Sequence, residues 1–311
     1  MQNLRTLRQR IRSVQNTQKI TKAMQMVAGA KLRRMQGELL SFRPYADSLE
    51  KMTQRFLSMH PGVEHPLLES PVMVSLSNHD QVSNRSPFGK LRAGFIEGRT
   101  ETVPPAGLLV ITSDTGLCGT YNERVMGEME RFHREFPSLV AVTIGKKGTR
   151  VLARKGIRRA KEIVHWGGRY QPEQAMPLLA WLEERYLDGE VSSWSVAYTQ
   201  FISALAWRPT VELLLPVERS QAQAFPEKVI VEPDLPRFLD ELLKQYGRAR
   251  FARILLEAFT SEHSARMVAM KNATENAGEM IDTLTLVRNK VRQAAITKEL
   301  IEVVSGAEAL K

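Results

Sequence analysis

The sequence predicts an α/β protein in which two long terminal helices form an antiparallel coiled coil beside a central open α/β domain. Three observations predict this fold. Proline is concentrated in the middle of the chain, apolar residues near both ends recur at alternating spacings of three and four, and β-branched runs alternate with helical segments between those ends. With 311 residues, the chain is long enough for one large or two ordinary domains with a substantial core.

The N-terminal segment is predicted to be one helix from about residue 3 to residue 58. Proline disrupts helix interiors, and Pro44 is the only proline among the first 60 residues. An apolar seam with polar members in its centre runs along this helix. Its positions are Leu4, Leu7, Ile11, Val14, Gln18, Thr21, Gln25, Ala28, Leu32, Met35 and Leu39.

The C-terminal segment is predicted to be a longer helix, because no proline occurs from Arg237 to Lys311. At 1.5 Å per residue the two helices would be roughly 80 and 110 Å long, so the second should extend roughly 25 Å past the first. Because its end is apolar (Ile301, Val303, Val304, Leu310), we expect it to be inserted into another protein. The predicted seam, interrupted at His263 and Arg266, comprises Leu256, Phe259, Met270, Ala273, Ala277, Met280, Leu284, Val287, Val291, Ala294 and Ile301.

The middle of the chain is predicted to be an open α/β sheet domain. A stretch rich in Ser, Asn, Pro and Gly precedes it at about 70–103 and is interpreted as a surface insertion. The predicted strands are 107–112, 139–144, 191–201 and 210–215, and the predicted helices are 122–136 and 173–186. The predicted domains are an N-terminal helix (1–60), a linker with the insertion (61–103), the α/β domain (104–236) and a C-terminal helix (237–311).

The net charge of +10 is concentrated in the N-terminal helix. Nine basic residues precede the first acid, Glu38, so subtracting nine from ten leaves +1 for the rest of the chain. A basic segment on a near-neutral protein indicates an acidic partner, which leaves nucleic acid, anionic lipid and an acidic protein surface open. The nine residues are Arg5, Arg8, Arg10, Arg12, Lys19, Lys22, Lys31, Arg33 and Arg34.

The sequence shows no catalytic constellation, and we predict neither a metal nor a cofactor. Cys118 is the single cysteine, which excludes an internal disulfide and a cysteine-based zinc site. The six histidines are scattered. The glycines of SDTGLCG (113–119) and GKKGT (145–149) fit neither established phosphate-loop spacing, so strand-to-helix turns are the better interpretation, with Asp114 as a turn or cap residue.

Four segments together resemble the gamma subunit of the rotary ATP synthase. They are KITKAMQMVAGAKLRR at 19–34, SDTGLCG at 113–119, ARMVAMKNATENAGEMI at 265–281 and RQAAITKELIEVVSGAEAL at 292–310. The resemblance implies an antiparallel coiled coil and a Rossmann-like α/β domain that binds no nucleotide. It also implies a rotating shaft inside a hexamer of alpha and catalytic beta subunits, with a foot on the epsilon subunit and the membrane c-ring.

The resemblance also implies partner-binding residues, for each of which a solvated helix face is the alternative. Met24, with Lys19, Lys22, Lys31, Arg33 and Arg34 around it, matches a position beside an acidic loop of a catalytic subunit. Arg292 and Gln293 match a pair that engages a beta-subunit loop, with Thr297, Glu299 and Glu302 nearby. The 301–310 end matches a tip held in an apolar collar, and Asp114, Gly116, Cys118 and Gly119 match a structural turn.

Two other functions remain open from the residues alone. A basic coiled coil that binds nucleic acid would explain the same charge, although few aromatic residues accompany its lysines and arginines. A nucleotide-dependent enzyme would use the α/β domain.

The acid-free start lacks the serines of a mitochondrial transit peptide, since Ser13 is the only serine in the first 37 residues. We therefore expect a peripheral protein at the cytoplasmic face of a bacterial plasma membrane.

Overall fold

The computed structural model describes residues 4–68, 104–219, 232 and 234–308. Within these residues the chain is rich in helix and contains one mixed five-stranded sheet between long N- and C-terminal helices, which confirms the predicted fold class. The predicted insertion at about 70–103 lies outside the described residues, as does Leu310. Among the described helices, none is both long and apolar enough to cross a membrane.

The two terminal helices are the longest elements. Helix α1 (Leu4–Met59) has 56 residues and helix α5 (Leu235–Glu308) has 74. Between them the elements follow in the order β1 (Ala106–Ile111), α2 (Tyr121–Glu135), β2 (Val140–Ile144), α3 (Lys146–Arg154), β3 (Arg159–Ile163), α4 (Pro172–Leu187), β4 (Ser193–Ser203) and β5 (Ala206–Leu215).

The sheet has the strand order β3-β2-β1-β4-β5. Its first four strands are parallel, and β5 pairs antiparallel with β4 as a hairpin. Gly107 of β1 lies opposite Trp194 of β4, and a Cβ added to Gly107 would lie 2.4 Å from the indole ring. Glycine is therefore required there, because the neighbouring ring occupies the space of a side chain.

Both faces of the sheet are buried, as is usual for parallel strands. On β1, Leu108 and Val110 belong to a core shared with α2 and α3, whereas Leu109 and Ile111 belong to a core shared with α4 and α5. This division follows from the alternation of side chains along a strand. Phe56 and Leu57 bring the end of α1 into the second core.

Three parts of the domain differ from the sequence prediction. Helix α3 and strand β3 were not predicted, because β3 reads RAKEI, with charges typical of an edge strand, and α3 has only nine residues. Strand β5 begins at Ala206 instead of 210, although Pro209 lies inside it. An edge strand tolerates proline because its N–H groups on one side have no neighbouring strand to bond.

The described chain divides into two compact units, and the predicted domain boundaries remain a prediction. The first unit comprises Met1–Lys31, Leu117–Gly119 and His263–Lys311, and the second comprises Leu32–Gly116 and Thr120–Glu262. In the first unit α1 and α5 run antiparallel. A Cβ on Gly29 would lie 3.5 Å from Met267 Sδ, whereas one on Gly278 would lie 3.2 Å from Gln18 Nε2.

The buried seam of α1 follows its predicted positions, whereas that of α5 departs from them at Met280 and again at its exposed C-terminal end. Leu7, Ile11, Thr21 and Ala28 are buried, whereas Met280 is largely exposed. Ile281 is half-buried in its place, so the seam steps by four from Ala277 and then by three. Steps of three and of four residues both keep a side chain on the same helix face, so the sequence spacing alone does not predict which one occurs at this turn.

Candidate partner-binding surfaces

The N-terminal part of α1 presents a basic face to solvent. All nine basic residues of the first 37 are exposed, and Arg34 Nε forms an exposed ion pair with Glu38 Oε1 at 3.2 Å. Three apolar side chains (Ile20, Met26 and Val27) are exposed among them, while Met24 is half-buried. The face therefore combines positive charge with apolar contact area, which suits an acidic protein surface with apolar elements.

The C-terminal end of α5 forms a second exposed surface in the first unit. Extending the antiparallel register to the start of the described α1 places Leu4 opposite Arg292. From Arg292 to Ser305, Ala295 alone is half-buried and the other side chains are exposed, which corrects the predicted placement of Ala294 and Ile301 in the seam. Five of these exposed residues are large and apolar: Ile296, Leu300, Ile301, Val303 and Val304.

The predicted beta-contacting residues lie on this exposed segment. Arg292, Gln293, Thr297, Glu299 and Glu302 are all exposed. Thr297 Oγ1 donates to the Gln293 carbonyl at 3.0 Å, within the helix. Glu302 Oε1 lies 3.6 Å from Lys298 Nζ, an exposed pair of the kind that contributes little stability. Their side chains are thus available to a partner.

A polar layer interrupts the apolar seam between the helices. Thr274 Oγ1 lies 2.8 Å from both Thr21 Oγ1 and the Met270 carbonyl, and Gln18 Nε2 donates to the Thr274 carbonyl at 3.4 Å. Hydrogen bonds need a fixed geometry, whereas apolar seams permit sliding. Such a layer specifies the register of two helices.

The segment 113–119 connects β1 to α2, and its four predicted turn residues differ in burial and in their contacts. Asp114 is half-buried, and its Oδ1 accepts from the backbone N–H groups of Lys146 (3.2 Å) and His165 (3.0 Å). Gly116 is exposed. Cys118 is 2% exposed, and Gly119 has a φ of 57°, a conformation that favours glycine. A Cβ on Gly119 would lie 3.8 Å from Ala269 Cβ.

The edge where the parallel strands end is the usual ligand site of open α/β sheets, and here protein groups occupy its amides. Asp114 bonds the first N–H of α3 and, through Oδ2, the N–H of Gly167 at 3.4 Å. Thr112 Oγ1 accepts from the N–H of Gly148 at 2.8 Å. A phosphate would have to displace both side chains to reach these amides.

A cluster of charged side chains in the second unit was missed by sequence reasoning. It joins α1, α5 and the β4–β5 hairpin, and we call it the ionic cluster. Arg43 Nη2 donates to the Phe201 carbonyl at 2.8 Å and lies 3.4 Å from Glu257 Oε1. Its members are Arg43, Asp47, Glu50, Tyr198, Glu212, Arg253 and Glu257. The sequence did contain one indication of buried charges, since Arg253 and Glu257 lie inside the apolar run FARILLEAF at 251–259.

The remaining contacts of the ionic cluster join Arg253 and Tyr198 to acidic side chains. Arg253 Nη1 lies 3.0 Å from Glu50 Oε2 and 3.5 Å from Asp47 Oδ1, both on α1. Tyr198 Oη donates to Glu212 Oε1 at 2.7 Å. Glu257 is only 4% exposed, and its Oε2 has no hydrogen-bond partner among the residues that the structure describes.

Burial and neighbouring charges shift the pKa values in the ionic cluster. Burial raises the pKa of the Glu257 carboxyl, and Glu212 raises it further, against the opposing effects of Arg43 and Arg253. Burial and the Glu212 carboxylate raise the pKa of Tyr198. Tyr198 therefore remains a hydrogen-bond donor at neutral pH. Within the described ranges, no group of three or more His, Cys, Asp or Glu residues is placed to hold a metal.

Comparison with known proteins identifies the family. The family model described as ATP synthase matches residues 3–310. The gamma chain of Moorella thermoacetica is 38% identical, with all of both chains covered, and that of Symbiobacterium thermophilum is 37% identical over all of this chain and 99% of its own. This chain belongs to the ATP synthase gamma chain family.

Solved structures support the fold of this ATP synthase gamma chain family member. The rotor of the Euglena gracilis mitochondrial ATP synthase matches with a TM-score of 0.62 at 15% identity, covering 94% of this chain and 98% of its own. The central stalk and c-ring structure from Tetrahymena thermophila matches with a TM-score of 0.52 at 23% identity, covering 82% and 99%. Among the relatives found by sequence, the gamma chain of Ralstonia nicotianae is 36% identical, also with complete coverage of both chains.

Proposed function

We propose that this chain is the rotating central shaft of a proton-translocating ATP synthase, coupling rotation of the c-ring to conformational changes at the catalytic beta subunits. The observation that carries the proposal is the exposed end of α5. A helix that continues past its partner with five large apolar side chains in water is suited to insertion into another protein. The full-length relatives named ATP synthase gamma chain support the same function.

The proposed mechanism needs a rigid, asymmetric rod instead of reactive groups. A rotor changes the conformations of otherwise equivalent beta subunits only if it contacts them differently at each angle. In the first unit, α1 carries seven of the nine basic residues and α5 carries the apolar end, so the two helices present different chemistry. Rotation would present these surfaces to each catalytic site in turn.

The proposed contacts with the hexamer use the two exposed surfaces. Lys19, Lys22, Lys31, Arg33 and Arg34 would face an acidic loop of a catalytic subunit. Arg292 and Gln293 would engage a beta-subunit loop, with Thr297, Glu299 and Glu302 beside them. The exposure of all these side chains supports the assignment, because a bound partner can reach them without disturbing the helix pair.

The α/β domain is proposed to have a structural role without nucleotide or catalytic residues of its own. Asp114 and Thr112 already occupy the amides that a phosphate would use. Its proposed neighbours are the epsilon subunit and the c-ring, which would hold the complex at the cytoplasmic face of a bacterial plasma membrane.

Co-purification and proton pumping test the proposal. Tagged alpha and beta subunits from the source cell should retain this chain, and deletion of its gene should abolish ATP synthesis in membrane vesicles. Arg292→Glu should lower ATP-driven proton pumping by roughly threefold or more, because it reverses a charge at the proposed interface. Arg154→Glu, at an exposed position on α3, is the matched control and should pump normally. Normal ATP synthesis without the chain would refute the proposal.

A further inference from the structure

The ionic cluster joins three elements through directional contacts. Arg43 on α1 bonds the Phe201 carbonyl at the end of β4 and also approaches Glu257 on α5. Arg253 on α5 returns to α1 through Glu50 and Asp47. Removal of Arg43 would break the contact that α1 makes in this cluster with the hairpin and its contact with Glu257, while Glu50 and Asp47 would still pair with Arg253.

Stability alone does not account for charges at this place. Glu257 is buried beside Arg43, and burying an ion pair costs desolvation that roughly cancels the attraction, so apolar residues of similar size are often equally stable. The side chains of Asp47 and Glu50, which pair with Arg253, are 55% and 40% exposed, and ion pairs open to solvent contribute little stability.

The surrounding residues of α5 are apolar, including Ile254, Leu255 and Phe259 in the same core. The orphaned Glu257 Oε2 adds a further desolvation cost. What the cluster adds to this apolar packing is a set of directional contacts.

Directional bonds provide resistance to sliding. The hydrophobic effect is non-directional, whereas a hydrogen bond weakens steeply with distance and angle. The guanidinium of Arg43 offers several donors in one rigid plane, so it fixes two acceptors relative to each other. The cluster thus fixes the position of the hairpin along both helices.

We propose that the ionic cluster is the mechanical link between the β4–β5 hairpin and the two long helices, with Arg43 as its central positioning residue. The link transmits load between the sheet and the helices when the shaft turns, and in this respect it rests on the proposed function. Without it the helices remain folded and packed, but the sheet slips relative to them under load. Slippage uncouples ATP hydrolysis from proton movement without removing either partner.

The test compares variants in the assembled complex on inverted membrane vesicles. Complex content, ATP hydrolysis rate and ATP-driven proton pumping are measured for each, and pumping is divided by hydrolysis. Arg43→Gln should assemble and hydrolyse ATP but lower this ratio by about fivefold. Arg43→Lys keeps the charge without the planar fork and should give an intermediate ratio. Arg237→Gln is the matched control, since exposed Arg237 forms an ion pair with Asp234 at 3.6 Å outside the ionic cluster and its loss should leave the ratio unchanged.

Each outcome bears on the link separately from the proposed function. A ratio in Arg43→Gln equal to that of the unmodified chain would overturn the link, as would an equal loss in Arg237→Gln. If Arg43→Gln reduces the amount of assembled complex, Arg43→Lys and Glu257→Gln are compared with the unmodified chain at equal amounts of complex. An unchanged ratio of pumping to hydrolysis in both variants would then overturn the link. Failure of the unmodified chain to join alpha and beta subunits would refute the proposed function. The Arg43 variants test only the link, so the two failures are distinguishable.

Discussion

The hydroxyl of Thr274 lies 2.8 Å from that of Thr21 across the seam between the two long helices. Thr21 is 9% exposed, so this contact is largely shielded from water. Thr274→Val should destabilise the chain by about 1 kcal/mol, because it removes a shielded hydrogen bond while keeping the side-chain volume. Urea unfolding followed by circular dichroism measures the change.

A double-mutant cycle separates this contact from the other effects of each substitution. Thr21→Val and Thr21→Val/Thr274→Val complete the cycle, and we expect a coupling energy of about 0.5–1 kcal/mol. Strict additivity of the two single changes would show that the hydroxyls do not interact. Thr283→Val is a suitable comparison, since Thr283 is exposed and its Oγ1 donates to the Glu279 carbonyl within its own helix.

Gly107 is predicted to tolerate no side chain. A Cβ there would lie 2.4 Å from Trp194, whose indole is itself fully buried and cannot move aside. Gly107→Ala should lower the free energy of unfolding by about 2 kcal/mol through overpacking. Gly127→Ala is the matched control: with nothing within 4 Å and a helical position, it should raise stability by about 0.5–1 kcal/mol. Equal effects of the two changes would contradict the close packing at Gly107.

Asp114 is predicted to hold the turns after β2 and β3 together. Asp114→Ala leaves the N–H groups of Lys146, His165 and Gly167 without their acceptor and should cost about 2 kcal/mol. Asp114→Asn keeps one oxygen acceptor and should cost less. Thermal unfolding of both variants gives the order, and a loss in Asp114→Ala no larger than in exposed Asp188→Ala would contradict this role.

Glu257 is predicted to make stability depend on pH. Its pKa is raised above the ordinary 4.5, so above that pH the folded chain retains a proton that the unfolded chain releases. The unfolding free energy then falls as pH rises from 4.5 through the raised pKa. Arg43, Arg253, Glu212 and Tyr198 surround this carboxyl. Glu257→Gln cannot titrate, so the unmodified chain should lose stability relative to it over that window. Parallel stability curves from urea unfolding across the pH range would contradict the prediction.

The sequence predicted the long helices and buried strands because their patterns are strong. The α1 seam from Leu7 to Leu39 repeats over many turns, and the first strand is an unbroken apolar run. Edge elements were harder to predict. Strand β3 is charged and β5 contains Pro209, and both are tolerated only because these strands lie at the two edges of the sheet. Sheet order is a tertiary property that local composition does not report.

The surfaces were more predictable than the internal polar contacts. Exposed basic residues and the apolar end of α5 followed from helix periodicity and relative length. The ionic cluster did not, because Arg43, Phe201 and Glu257 are distant in sequence and meet only after the hairpin packs on both helices. The seam of α5 was also mispredicted at one position, where Ile281 and not Met280 is half-buried. Steps of three and of four residues both stay on one helix face, so the sequence pattern does not distinguish the two residues.

Single-molecule rotation tests the central claim most directly. Gln174→Cys supplies an exposed thiol on α4 for a bead, while Cys118 is 2% exposed and shielded from labelling. With the alpha and beta hexamer fixed to glass, we expect the bead to turn in one direction when ATP is added and to stop when ATP is removed. A complex that contains this chain and hydrolyses ATP while the bead stays still would contradict the assignment of the chain as the rotating shaft.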